Sequence, residues 1–231
     1  MLFDTENWAL SIAHKGRERE PVVVVDNFAA DPAALIGEAR STTFAQDPGH
    51  YPGLRAAASP APTAALCAAL QPLLRQVFGV ANARMVGCFH SLVTKPPAQL
   101  TPIQRLPHFD GVETGRLALI LYLSDPPQGG TSFYRHRSTG FETITPERFD
   151  AYRTALADDV RRCGLPEAKY IGGDTTLFER IDGVQPAFNR AAIYRGCNLH
   201  SGDIAEDFRF DPSPLTGRLT LNAFLLGEAQ D

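Results

Sequence analysis

The chain has 231 residues, a formal net charge of −4 and 44% hydrophobic side chains, the composition of a globular protein of one or two domains. Without a basic block, that charge argues against non-specific nucleic-acid binding, which the neutralisation of phosphates drives. No linker composition, repeat or low-complexity tract divides the chain, so a single domain over 1–231 is expected.

In chain order, Pro21–Asp26 is rich in β-branched residues and reads as a strand. Asp31 and Pro32 form an N-cap and N1 pair that opens a helix through about Arg40. Residues 42–62 read as loop, with two prolines and two glycines between Pro48 and Gly53. Thr63 is a candidate cap for a helix to about Phe78. Its apolar stripe is Leu66, Leu70, Leu73, Leu74 and Val77, and Pro72 should kink or divide it. Met85–Thr94 is a strand candidate, ended by Lys95 and two prolines. Arg116–Ser124 is a near-continuous apolar run and reads as a buried strand. The breaker Asp125–Gly130 follows, and then a strand over Thr131–Arg135. Gly129-Gly130 reads as a hairpin turn and not as a phosphate cradle, because no helix start follows it. Thr145-Pro146-Glu147 opens a helix to about Cys163, stopped by Gly164 and Pro166. Asn189–Arg195 is a further strand candidate, and Arg218–Leu226 alternates and closes the chain.

His108-Phe109-Asp110 and His200 carry the chemistry. Side chains at i and i+2 of an extended segment share a face, so one strand end can supply an imidazole and a carboxylate together. A distant strand must supply the third group. Two histidines and one carboxylate are the ligand set of the facial triad that holds non-haem Fe(II).

The order of these pieces resembles the Fe(II)/2-oxoglutarate-dependent oxygenases, in particular the prolyl-hydroxylase-like branch. The matching pieces are Pro107-His108-Phe109-Asp110, Leu119–Ser124, Gly129–Phe133, Leu199–Gly202 and Arg218–Phe224, within about 84–227. The resemblance implies a mainly β fold with flanking helices: a double-stranded β-helix (jelly-roll, cupin-like) core over about 83–227. An N-terminal strand–helix flank would occupy about 1–82, and one helical insertion about 140–188. It implies that His108, Asp110 and His200 bind Fe(II). It implies that Arg218 pairs with the distal carboxylate of 2-oxoglutarate as cosubstrate, with the Tyr122 hydroxyl beside it. O₂ would be the oxidant and an unidentified C–H bond the target of hydroxylation. Residues 203–217 depart from the pattern as an inserted loop and, with 140–188, are candidate lids.

Other readings stay open. A cupin-like non-catalytic binding or regulatory module would use the same sheets. A zinc hydrolase would use the same three ligands and have no need of Arg218. His14, His50, His90 and His136 read as surface or satisfied histidines, with His90 the one best placed to line a cavity. Arg135-His136-Arg137 reads as a solvated charge cluster. The substrate is a small molecule or a peptidyl group, and the sequence holds no signal for oligomeric state. Cys67, Cys88, Cys163 and Cys197 form no C-x-x-C pair, so a zinc ribbon or redox pair is not expected. No apolar run nears membrane-spanning length, and no signal-like segment opens the chain. No membrane association is therefore expected, and a cytoplasmic protein with reduced thiols is the plain reading.

Overall fold

The computed structural model describes residues 2–229. Strands β1 (Ala9–Lys15) and β2 (Glu20–Asp26) form a hairpin, followed by helix α1 (Pro32–Ser41). The Asp31 carboxylate caps α1 by accepting the Ala34 N–H. Short strands β3 (Ala45–Gln46) and β4 (Gly53–Ala57) precede helix α2 (Pro60–Phe78) and the long strand β5 (Val80–Val93). After two short 3₁₀ turns come β6 (Arg116–Tyr122), β7 (Gly130–His136), helix α3 (Pro146–Cys163), β8 (Phe178–Val184), β9 (Arg190–Arg195), β10 (His200–Asp203) and β11 (Leu219–Ala229).

Two antiparallel sheets result. The large one has the order β1-β2-β9-β6-β11-β5-β4-β3 and the small one β10-β7-β8. Alternation along the strands decides what each face holds. On β11, Leu219, Leu221, Ala223 and Leu225 join the cluster beneath α1 and α2, with Leu35, Leu66, Leu70 and Leu74. The intervening side chains point between the sheets, where Ala118, Tyr122, Ala192 and Tyr194 of the large sheet meet Phe133 and Val184 of the small one. Helix α3 covers the outer face of the small sheet through Tyr152, packed with Tyr134 and Phe178. The architecture is thus a jelly-roll, cupin-like double-stranded β-helix with flanking helices.

Several expectations change. The 42–62 segment is not all loop, since β3 and β4 lie in it and α2 begins at Pro60 behind Ser59. Pro60 and Pro62 fall in the first helical turn, where backbone N–H groups have no intrahelical acceptor and their loss is harmless. Thr63 does not cap; its hydroxyl donates to the Ser59 carbonyl at 2.8 Å. Helix α2 runs undivided through Pro72. The N-terminal part, expected as a strand–helix flank, supplies β1, β2, β3 and β4 to the large sheet. Only 146–163 of the supposed insertion is α-helical, and β8 within it is a strand of the small sheet. Strand β8 escaped the pattern because its polar residues are masked by pairing. Glu179 binds Arg135, Arg180 binds Asp203 and Asp182 binds Lys15.

Candidate metal centre and its cavity

The segment carrying His108 is held in place by backbone bonds. His108 and His200 form an isolated antiparallel bridge, and the Asp110 N–H donates to the Gly196 carbonyl at 2.7 Å. His200 sits on β10 opposite Phe133 of β7, so a strand supplies the third group as expected. The chain between Asp110 and His200 is thereby closed onto one point.

Ligating atoms of His108, Asp110 and His200 lie within 4.8 Å of one another. His200 Nε2 is 3.6 Å from Asp110 Oδ2, and His108 Nε2 is 3.9 Å from Asp110 Oδ1. Ligands at right angles about an ion at about 2.1 Å stand about 3 Å apart, so side-chain adjustment alone would close the trio. Asp110 Oδ2 is buried without a hydrogen-bond partner. His200 Nδ1 is 2.8 Å from the Asn198 carbonyl; only a protonated Nδ1 can donate there, which leaves Nε2 as a lone-pair donor facing the carboxylate. An orphaned carboxylate oxygen and an imidazole in the right tautomer fit a divalent metal.

The electrostatics agree with that fit. Removal from water raises the Asp110 pKa, against the pull of His200, Arg55 and Arg116. The His108 ring is half exposed to the open cavity, yet the crowding of protein atoms around it, then the adjacent His200, hold its pKa well below the usual value. A neutral imidazole is the form a metal requires.

A cavity of about 490 Å³ opens beside the trio, within the range of small-molecule sites. Its walls include Leu106, Phe109, Ile120, Leu156 and Phe224, with Arg218 among them. Arg218 is 4% exposed. Its Nε donates to the Gln128 and Gly129 carbonyls at 3.1 and 3.0 Å, and Nη2 to Gly130 at 3.2 Å. Among the described residues no carboxylate lies within 4.0 Å of it, whereas the other buried arginine, Arg135, binds Glu142 and Glu179. The Gly129-Gly130 turn is therefore the mount of this guanidinium. Tyr122 lies under it, with the Arg218 Cζ 5.9 Å from the ring centroid. The Tyr122 hydroxyl sits 2.8 Å from Thr131 Oγ1, and the residue is not part of the cavity wall.

Other residues fall differently from their sequence reading. His90 does not line the cavity. Its cross-strand partner Leu221 belongs to the cluster under the helices, so His90 faces that side and lies 3.6 Å from Glu38 of α1. His50 lines the cavity instead. Arg135-His136-Arg137 is not a solvated cluster: Arg135 and His136 are buried, and His136 Nε2 is 3.1 Å from Asp159. Sequence reasoning passed over Tyr51 and Arg55, both in the cavity wall. They lie in a stretch whose prolines and glycines read as loop, and nothing local signals that β4 joins a sheet. The two candidate lid segments do reach the cavity, through Tyr152, Leu156 and Tyr170 and through Ile204.

The described residues contain no helix long and apolar enough to cross a membrane. No curated protein matches the chain. Among solved structures it is similar to one described as the non-heme alpha ketoglutarate dependent epimerase SnoN from nogalamycin biosynthesis. The TM-score is 0.50 at 12% identity, over 91% of this chain and 80% of that one, a likeness of fold. A family described as of unknown function, DUF6445, matches residues 6–225. The chain belongs to that family.

Proposed function

We propose that the protein is an Fe(II)- and 2-oxoglutarate-dependent oxygenase of the prolyl-hydroxylase-like kind, hydroxylating a C–H bond of its substrate. One observation carries the reading. A two-histidine, one-carboxylate trio and a buried arginine without a carboxylate partner share one cavity wall. A zinc hydrolase has no use for that arginine, whereas an anionic cosubstrate supplies the partner that a buried guanidinium otherwise lacks.

His108, Asp110 and His200 would hold the metal. With iron bound, 2-oxoglutarate and O₂ become succinate and CO₂, and one oxygen atom passes to the substrate. The chain's own residues do the rest. The Asn198 carbonyl keeps the proton on His200 Nδ1, so that Nε2 stays free. Arg218, braced from behind by three carbonyls, takes the distal carboxylate of 2-oxoglutarate in a charge-assisted contact. Tyr122, hydrogen-bonded to Thr131 behind the cavity wall, supports Arg218 from below through its ring. Leu106, Phe109, Leu156 and Phe224 keep water from the reacting atoms.

The fold also supports other outcomes, as the epimerase among its structural neighbours indicates, and product analysis separates them. The purified protein with Fe(II), 2-oxoglutarate and ascorbate should form succinate and add one oxygen atom to its substrate by mass. Substrate turnover with no change in mass would replace hydroxylation by epimerisation. A protein that binds no 2-oxoglutarate would leave the cupin-like module as the reading. Four unpaired cysteines favour the reducing cytoplasm as its compartment.

A further inference from the structure

The cavity carries more polar recognition than a metal and its cosubstrate use. Besides Asp110, three wall residues have a buried polar atom with no hydrogen-bond partner among the described residues: the Tyr51 hydroxyl, Arg55 Nε and Asn222 Oδ1. Unpaired buried polar groups cost free energy, and a set of them in one wall calls for a ligand that completes them.

Register makes them neighbours. Arg55 of β4 pairs with Ser91 of β5, and Ser91 with Thr220 of β11. Asn222 lies two residues further along the same face, directly opposite Phe89. The Arg55 guanidinium sits 4.2 Å from the Tyr51 ring centroid, 5.4 Å from that of Phe89 and 5.7 Å from that of Phe224. Its Nη1 is anchored to Asp47 at 3.1 Å, which fixes the fork and leaves Nε–H unused. Arg55 lines the same cavity as His108 and Asp110.

Charge then limits the remaining occupant. The cavity's charged side chains are Arg55, Arg218 and Asp110, with Asp47 bound to Arg55. Two guanidinium groups balance two carboxylates, and a metal dication balances a cosubstrate dianion. The third occupant is therefore best tolerated when net neutral. It must still offer an acceptor to Arg55 Nε–H and the Tyr51 hydroxyl, and a donor to Asn222 Oδ1. A zwitterion does both.

We propose that the primary substrate is a free α-amino acid with an apolar side chain. Its carboxylate rests on Arg55 and Tyr51, its ammonium on Asn222 Oδ1, and its side chain lies along Leu106, Phe109 and Leu156. This deepens the oxygenase reading and rests on it for the charge balance.

The test uses the full chain loaded with Zn(II), which is diamagnetic, and with N-oxalylglycine in place of the cosubstrate. Ligand-observed NMR follows L-leucine, L-phenylalanine and L-proline beside their decarboxylated counterparts isopentylamine, phenethylamine and pyrrolidine. Calorimetry with N-oxalylglycine reads the cosubstrate site separately. At least one amino acid binds and its amine does not. Arg55→Gln and Tyr51→Phe each weaken the amino acid by roughly tenfold or more, while N-oxalylglycine stays within about twofold. If Arg55→Gln fails to fold, Tyr51→Phe and Asn222→Ala give the same reading. Amino acids that do not bind a protein that binds N-oxalylglycine overturn the proposal, and so does equal binding of amino acid and amine. Equal loss of N-oxalylglycine and amino acid in Arg55→Gln assigns Arg55 to the cosubstrate and overturns it too. Failure of N-oxalylglycine to bind the wild type counts against the oxygenase reading. The panel on the Zn(II)-only protein then decides, with Arg55-dependent amino-acid binding in support and its absence against.

Discussion

His108 and His200 exchange backbone hydrogen bonds, each N–H donating to the other's carbonyl at 2.8 Å, with ring centroids 4.3 Å apart. Two imidazoles from distant parts of the chain are thus set by main-chain pairing, not by side-chain contact. The backbone of the two histidines is fixed by the fold itself, and the cost of the trio to that fold can be measured.

Asp110 should cost the metal-free protein stability, because its Oδ2 is buried and unpaired. Asp110→Asn should raise the stability of the metal-free protein by about 1 kcal/mol. The same change should remove the rise in melting temperature that Mn(II) gives the wild type. Thermal unfolding with and without Mn(II) checks both, and a less stable metal-free variant would contradict the first.

Arg218→Ala separates cosubstrate from metal. A charge-assisted contact is worth about 1.5–3 kcal/mol, so 2-oxoglutarate binding should weaken roughly tenfold or more. Mn(II) affinity should hardly move, whereas His108→Ala should abolish it. Anaerobic titration calorimetry reads both, and equal 2-oxoglutarate affinity in Arg218→Ala and wild type would remove Arg218 from the site.

Glu142 should be a structural keystone with no part in turnover. It accepts from both the Nε and Nη2 of buried Arg135, and from the Arg17 and Glu18 N–H groups at 3.0 Å each. It thereby ties the β1–β2 turn to the segment before α3. Glu142→Ala leaves the buried Arg135 guanidinium with Glu179 alone and should cost about 3 kcal/mol, read from urea unfolding. Gly16→Ala should destabilise as well, since φ there is +64° and a Cβ would stand 2.0 Å from a Glu142 oxygen.

His90 should make the fold acid-sensitive. Burial, which outweighs the attraction of Glu38, holds its pKa below the ordinary 6.5. A depressed folded value means that the neutral ring stabilises fully above about 6.5 and that this contribution is lost as pH falls through the folded value. His136, also depressed by burial despite Asp159, acts in the same window. The urea midpoint of the wild type should fall between about pH 7.5 and about pH 5.5, and that of His90→Leu should fall less. Parallel losses in the two proteins would place the acid sensitivity elsewhere.

Local pattern carried much of this protein. The runs that became β6, β7, β9 and β11 are legible because burial demands apolar residues, continuous where both faces are covered. The ends of α1 and α3 are legible because residues such as Asp31, Pro146 and Gly164 suit helix termini. H-x-D is legible for the same reason, since alternation makes i and i+2 share a face. Pairing between remote segments is not written locally. That His200 is bridged to His108, and that β8 belongs to the small sheet although its polar residues are hidden in ion pairs, follow only from the closed sheets. Arg55, Tyr51 and Asn222 show the limit best. Their residue types are visible in the sequence, but a missing partner is a property of everything around a buried atom, and only the tertiary structure decides it.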